Sequence, residues 1–154
     1  MKTGKLLIKN FDAQISKIEI IPRSADSEIT IHSKMYDEPG GGKIPVKILF
    51  DRAAAIEFHI NFFDNTTGSE ACGLYEITDS DFIDSIARRN FERRKEIFLL
   101  EGDYAHDPDG PADMLNAFDR FGIYRNERES FRAFVQNVDA GVYIIIAGGY
   151  RVLR

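Results

Sequence analysis

The sequence predicts an α+β fold in which a largely antiparallel, meandering sheet, able to curl, is accompanied by two main helices. Three observations carry that expectation. Several runs alternate apolar and polar residues with the period of two that a half-buried strand requires. The links between these runs are short, and parallel neighbours would need crossovers of about a dozen residues or more. Finally, Gly73 to Arg89, reading GLYEITDSDFIDSIARR, passes from an apolar β run straight into a marked helix start.

In chain order, Lys5 to Asn10 and Gln14 to Ile21 read as strands. The second is rich in isoleucine and is closed by Pro22, which cannot donate to a ladder. Ser27 to Tyr36 alternates, with Ile29 and Ile31 on one side and Glu28, Thr30 and His32 on the other. Asp37 to Lys43 (DEPGGGK) is loop chemistry. Ile44 to Phe50 resumes the β pattern, Asp51 and Arg52 suggest a turn, and Ala55 to Phe63 alternates most clearly of all. Asp64 to Ser69 (DNTTGS) is a further turn segment.

A helix is expected to begin near Ser80, because Thr78, Asp79, Ser80 and Asp81 offer oxygens to the unpaired N–H groups of a first turn. Phe82, Ile83, Ile86 and Ala87 share one side. Asn90 falls in the centre of that stripe, so the helix is expected to end close to it. Ile97 to Leu100 fits strand or helix equally. Pro111 to Arg120 reads as the second helix, with Met114, Leu115, Phe118 and Phe121 at helical spacing and Gly122 as its stop.

Ser130 to Val138 and Gly141 to Ala147 read as a hairpin in which Gly141 supplies a positive φ. VYIIIA, Val142 to Ala147, is apolar on both faces and is expected to be a central strand covered on both sides. Gly148 and Gly149 suggest a bulge or bend before the final RVLR.

At 154 residues and 44% hydrophobic content the chain suits one folded domain spanning residues 1–154. A net charge of -5 weighs against a nucleic acid or an anionic membrane as partner and is compatible with a basic protein partner. The single cysteine, Cys72, excludes an intramolecular disulfide and a cysteine-rich zinc site. The apolar run Leu6 to Ile8 is too short for a signal-peptide core, and no stretch has the roughly 20 apolar residues of a bilayer span, so a cytoplasmic location is expected.

Candidate binding residues fall in two groups. His32, Glu57 and His59 could share a polar sheet face and resemble metal ligands in type, but their spacings form no ligand motif, and solvent-facing residues explain them better. Arg88, Arg89, Arg93 and Arg94 belong to the basic cluster RRNFERRK, which fits a helix terminus with a solvated surface. The aspartates of the Asp103 to Asp113 loop depart from a calcium-binding loop, with Ala105 at its first ligand position and Asn116 in place of its bidentate glutamate. Cys72 reads as a small apolar residue of a strand. No GxSxG, P-loop, HExxH or GxGxxG motif is present, so no catalytic residue, metal or cofactor is assigned.

The segments ILFDRAAAIEFH, GLYEITDSDFIDSI and VQNVDAGVYIIIAGGYRV resemble small uncharacterised bacterial α+β proteins, some of which are immunity-protein-like. The resemblance implies a non-enzymatic protein-binding role. The alternative is a small-ligand-binding or hydrolytic protein whose curled sheet encloses a pocket.

Overall fold

A computed structural model describes residues 4–9, 13–22, 27–36, 40–60, 70–101, 130–138 and 141–154. The chain divides into two compact units, residues 1–79 with 131–154, and residues 80–130.

The first unit is entirely β among the described residues. Its strands are β1 (Lys5–Ile8), β2 (Ala13–Ile21), β3 (Glu28–Tyr36), β4 (Lys43–Asp51), β5 (Ala55–Ile60), β6 (Glu70–Ile77), β7 (Arg132–Val138), β8 (Gly141–Ala147) and β9 (Gly149–Leu153). They form one continuous sheet in the order β5-β8-β7-β6-β2-β3-β4-β9, with β1 also on β6. Every ladder is antiparallel.

The expected meander holds for β2, β3 and β4, and for the β7–β8 hairpin, where Val138 faces Gly141 and Gly141 has φ 151°. It fails at Asp51. The chain bends there instead of turning back, so β4 and β5 are two legs of one strand, just as β8 and β9 are. β4 pairs β9 up to Asp51 opposite Gly149, and β5 pairs β8 from Ala55 opposite Ile146. Four steps on one strand meet three on the other, a one-residue bulge of the kind that lets a sheet turn a corner. The corner stays hydrogen-bonded: Gly148 N donates to Asp51 O at 2.9 Å, Ala54 N to Ile146 O at 2.8 Å and Ala53 N to Ser27 O at 2.7 Å.

These two bent legs join the β2-β3-β4-β9 half of the sheet to the β1-β6-β7-β8-β5 half. At the opposite side β1 and β2 together run along β6, through Leu6 opposite Tyr75 and Ala13 opposite Ala71. The sheet therefore closes on itself as a six-stranded barrel in which β1–β2, β4–β5 and β8–β9 each act as one strand. Closure removes most of the open edge that a long sheet would otherwise expose.

The inward-facing residues follow from the period of two. Ile29, Ile31 and Met35 of β3, Val46, Ile48 and Phe50 of β4, Leu74 of β6, Phe134 and Val138 of β7, and Ile145 and Ala147 of β8 form one buried cluster. Phe134 lies at its centre, with ring centroids 5.2 Å from Phe50 and 5.5 Å from Tyr150. Such tilted pairs add to the burial term. Gln136 also projects inward and is tied down by its amide, whose Nε2 donates to Gly73 O at 2.9 Å and Asn137 O at 3.0 Å. On β8, Ile144, Ile145, Ile146 and Ala147 are all buried, as expected of a central strand covered on both faces.

In the second unit the described element is the helix α1 (Ser80–Glu101). It buries Ile83 and Ile86. It begins where expected but runs eleven residues past Asn90, so the expected stop is corrected. Asn90 is accommodated because its Nδ2 donates to Ile86 O at 3.1 Å, bonding back onto the preceding turn. Ile97 to Leu100 is helical. The predicted helix Pro111 to Arg120, with the Asp103 to Asp113 loop, lies outside the described residues.

The α+β class with two main helices is thereby corrected. The described chain is mostly β, with nine strands and one helix, because the runs on either side of each bend are strands of a single closed sheet.

Candidate binding surface

β5 ends the sheet path, with β8 as its strand neighbour among the described residues. An edge of this kind directs half of its backbone N–H and C=O groups away from the sheet. Alternation sends Glu57 and His59 to the outer face, where His59 Nε2 lies 3.0 Å from Glu57 Oε2. Glu57 stands opposite Ile144 and His59 opposite Val142. The carboxylate is mostly covered, at 12% side-chain exposure, while the imidazole is 56% exposed. A mostly covered anion capped by a wet histidine is a polar contact point beside the buried Ile144 and the half-buried Val142.

Phe58 points to the other face of the same strand and remains 47% exposed. It meets Tyr143 edge-on, with centroids 5.3 Å apart. Burial raises the Tyr143 phenol above its ordinary range, since the charged phenolate is disfavoured there. The β5 edge thus presents an aromatic anchor on one side and an acid–imidazole pair on the other.

The structure does not bring His32 to this place. His32 sits on β3 in the other half of the barrel, with its Nε2 2.9 Å from Glu19 Oε2, and Lys17 Nζ lies 2.9 Å from Glu19 Oε1. These two contacts, Lys17 first and His32 second, hold the Glu19 carboxyl below the usual carboxylate range because both favour its charged form. Each histidine therefore has its own carboxylate. Among the described residues no group of three or more His, Cys, Asp or Glu could hold a metal ion.

Arg88, Arg89, Arg93 and Arg94 lie within α1 and not at its terminus, which corrects their reading as a helix end. Arg89 Nη1 donates to Ser85 Oγ at 3.3 Å, and Arg93 Nη1 lies 3.0 Å from Glu96 Oε2. Cys72 is exposed, at a register shift of β6 between Ala71 and Gly73, and so differs from the buried residue that strand cysteines usually are. Among the described residues the interior holds the buried apolar cluster around Phe134. In sequence Phe58 alternates with Glu57 and His59 as a core-facing residue would, and nothing there signals it as a candidate. Only its place at the end of the sheet path exposes it.

No family model, curated protein or solved structure matches the chain. No helix among the described residues is long and apolar enough to cross a membrane.

Proposed function

We propose that the chain is a non-enzymatic, immunity-like binding protein that docks a basic protein partner along the β5 edge, in the cytoplasm. The observation that carries this reading is that strand. It has an unpaired side among the described residues, an exposed Phe58 and the Glu57–His59 pair. A partner segment adding to such an edge gains main-chain hydrogen bonds, and alternate side chains supply specificity. The Glu57 carboxylate on this strand suits a basic partner, because complementary charges speed encounter. The buried apolar cluster of the interior, among the described residues, supports this reading over a small-ligand or hydrolytic protein with a pocket in the sheet.

Copurification of the full chain from native cells is the test. The expected result is a stable basic protein whose affinity falls by about tenfold or more with Phe58→Ala, as for a central aromatic anchor. Glu57→Gln is expected mainly to slow association at low salt. Recovery of no protein partner, or of one indifferent to both substitutions, contradicts the proposal.

A further inference from the structure

The outer face of β3, β4 and β9 carries a charge pattern opposite in sign to that of the chain. Its residues follow from register. Thr30, His32, Lys34 and Tyr36 of β3 stand opposite Leu49, Lys47, Pro45 and Lys43 of β4, and Lys47 and Leu49 stand opposite Leu153 and Arg151 of β9. Four cations, Lys34, Lys43, Lys47 and Arg151, therefore occupy adjoining positions on three neighbouring strands. The same outward alternation places Glu28 of β3 and Asp51 of β4 at the far end of this face, Asp51 opposite Gly149 and diagonal to Arg151. Glu19 of β2 is held by Lys17 and His32, and the cations still outnumber the carboxylates of β3, β4 and β9. Lys34, Lys47 and Arg151 are exposed. Lys43 has its Nζ 5.4 Å from the centre of the Tyr36 ring, and that ring is 49% exposed.

Along the sequence, most of the net acidity falls in another segment. Residues 102–130 hold seven Asp or Glu against three Arg, while the unit formed by residues 1–79 and 131–154 has thirteen acidic against twelve basic residues. The net charge of the whole is therefore a poor guide to this face, since screening confines an exposed charge's influence to about 8–10 Å at ordinary ionic strength.

We propose that the outer face of β3, β4 and β9 binds single-stranded nucleic acid, with Lys34, Lys43, Lys47 and Arg151 on the phosphates and Tyr36 stacked on a base. Three of the four cations are lysines, which act as point charges and lack the planar fork that selects carboxylates in pairs. Point charges around an exposed aromatic ring on an open sheet match a polyphosphate whose bases carry a π face, and this combination binds single strands with little sequence preference. The surface is separate from the β5 edge and does not depend on its role.

Fluorescence anisotropy of a labelled oligothymidylate with the full chain tests the proposal across a salt series. About four phosphate contacts give a slope of log K against log salt near -3, at about -0.7 per contact for a single strand. Lys34→Glu with Lys47→Glu and Arg151→Glu is expected to abolish binding. Tyr36→Ala is expected to weaken it about fivefold or more with the slope unchanged, because stacking releases no counterions. Arg93→Glu is expected to leave it intact, which separates this face from the helix. These exposed substitutions leave the core untouched, and an unchanged thermal melt confirms folding of each variant. Absence of salt-dependent binding, binding that survives the triple reversal, or equal displacement by polyglutamate or anionic vesicles overturns the proposal.

Discussion

Glu19 shows how far a single residue could be read in advance. The alternation of its strand marks it as outward-facing, but its partners come from register. Lys17 is two residues away, whereas His32 reaches it across the β2–β3 ladder. Its carboxyl is held below its ordinary value of 4.5, so the folded state prefers the ionised form more than the unfolded chain does. The resulting stabilisation is fully present above the unfolded value and is lost as pH falls through the lower folded one. Comparing Glu19→Gln with the parent in denaturant titrations therefore predicts a parent that is more stable at neutral pH, with the difference shrinking once pH drops below about 4.5. A difference that stays constant to the acid limit contradicts this assignment. Cys72 is the opposite lesson, because a preference for burial common to strand cysteines was overridden by a local register shift.

Among the elements, the strands and the antiparallel pairing of near neighbours were legible, and the pairings between distant strands were not. Alternation over Glu28–Tyr36, Lys43–Asp51 and Ala55–Ile60 is set by which side chains meet the core, and this is local information. The end of α1 was misplaced because a polar residue on the apolar stripe was judged by its position alone, while Asn90 satisfies itself on Ile86 O. The corner at Gly148 was visible as a glycine pair, but not that Arg52, with φ 49°, would lie against it. A Cβ at Gly148 would stand 3.2 Å from Arg52 Cβ, an atom fixed to an already unfavourable backbone. Gly148→Val is accordingly expected to cost about 1–3 kcal/mol, the range of overpacking substitutions. Equilibrium denaturation that returns the parent's midpoint would show that the corner has slack.

At the scale of the molecule, closure decides what the protein can do. A ladder pairing Asp51 with Gly149 joins residues far apart in the chain, and no local pattern announces such a pairing. With the ring closed and Phe50, Ile48, Phe134 and Ile145 in its interior, the two surfaces proposed for binding are the β5 edge and the outer β3-β4-β9 face. The basic character of that face was invisible for the same reason, since Lys34, Lys47 and Arg151 become neighbours only through register. The most direct test is amide hydrogen exchange at the corner, followed residue by residue. If the bent legs form one continuous ladder, the amides of Ala54 and Gly148, which donate to Ile146 O and Asp51 O, exchange slowly and together with those of β4 and β8. Exchange of both at the rate of an open loop, while β4 and β8 stay protected, would mean that the sheet does not close there.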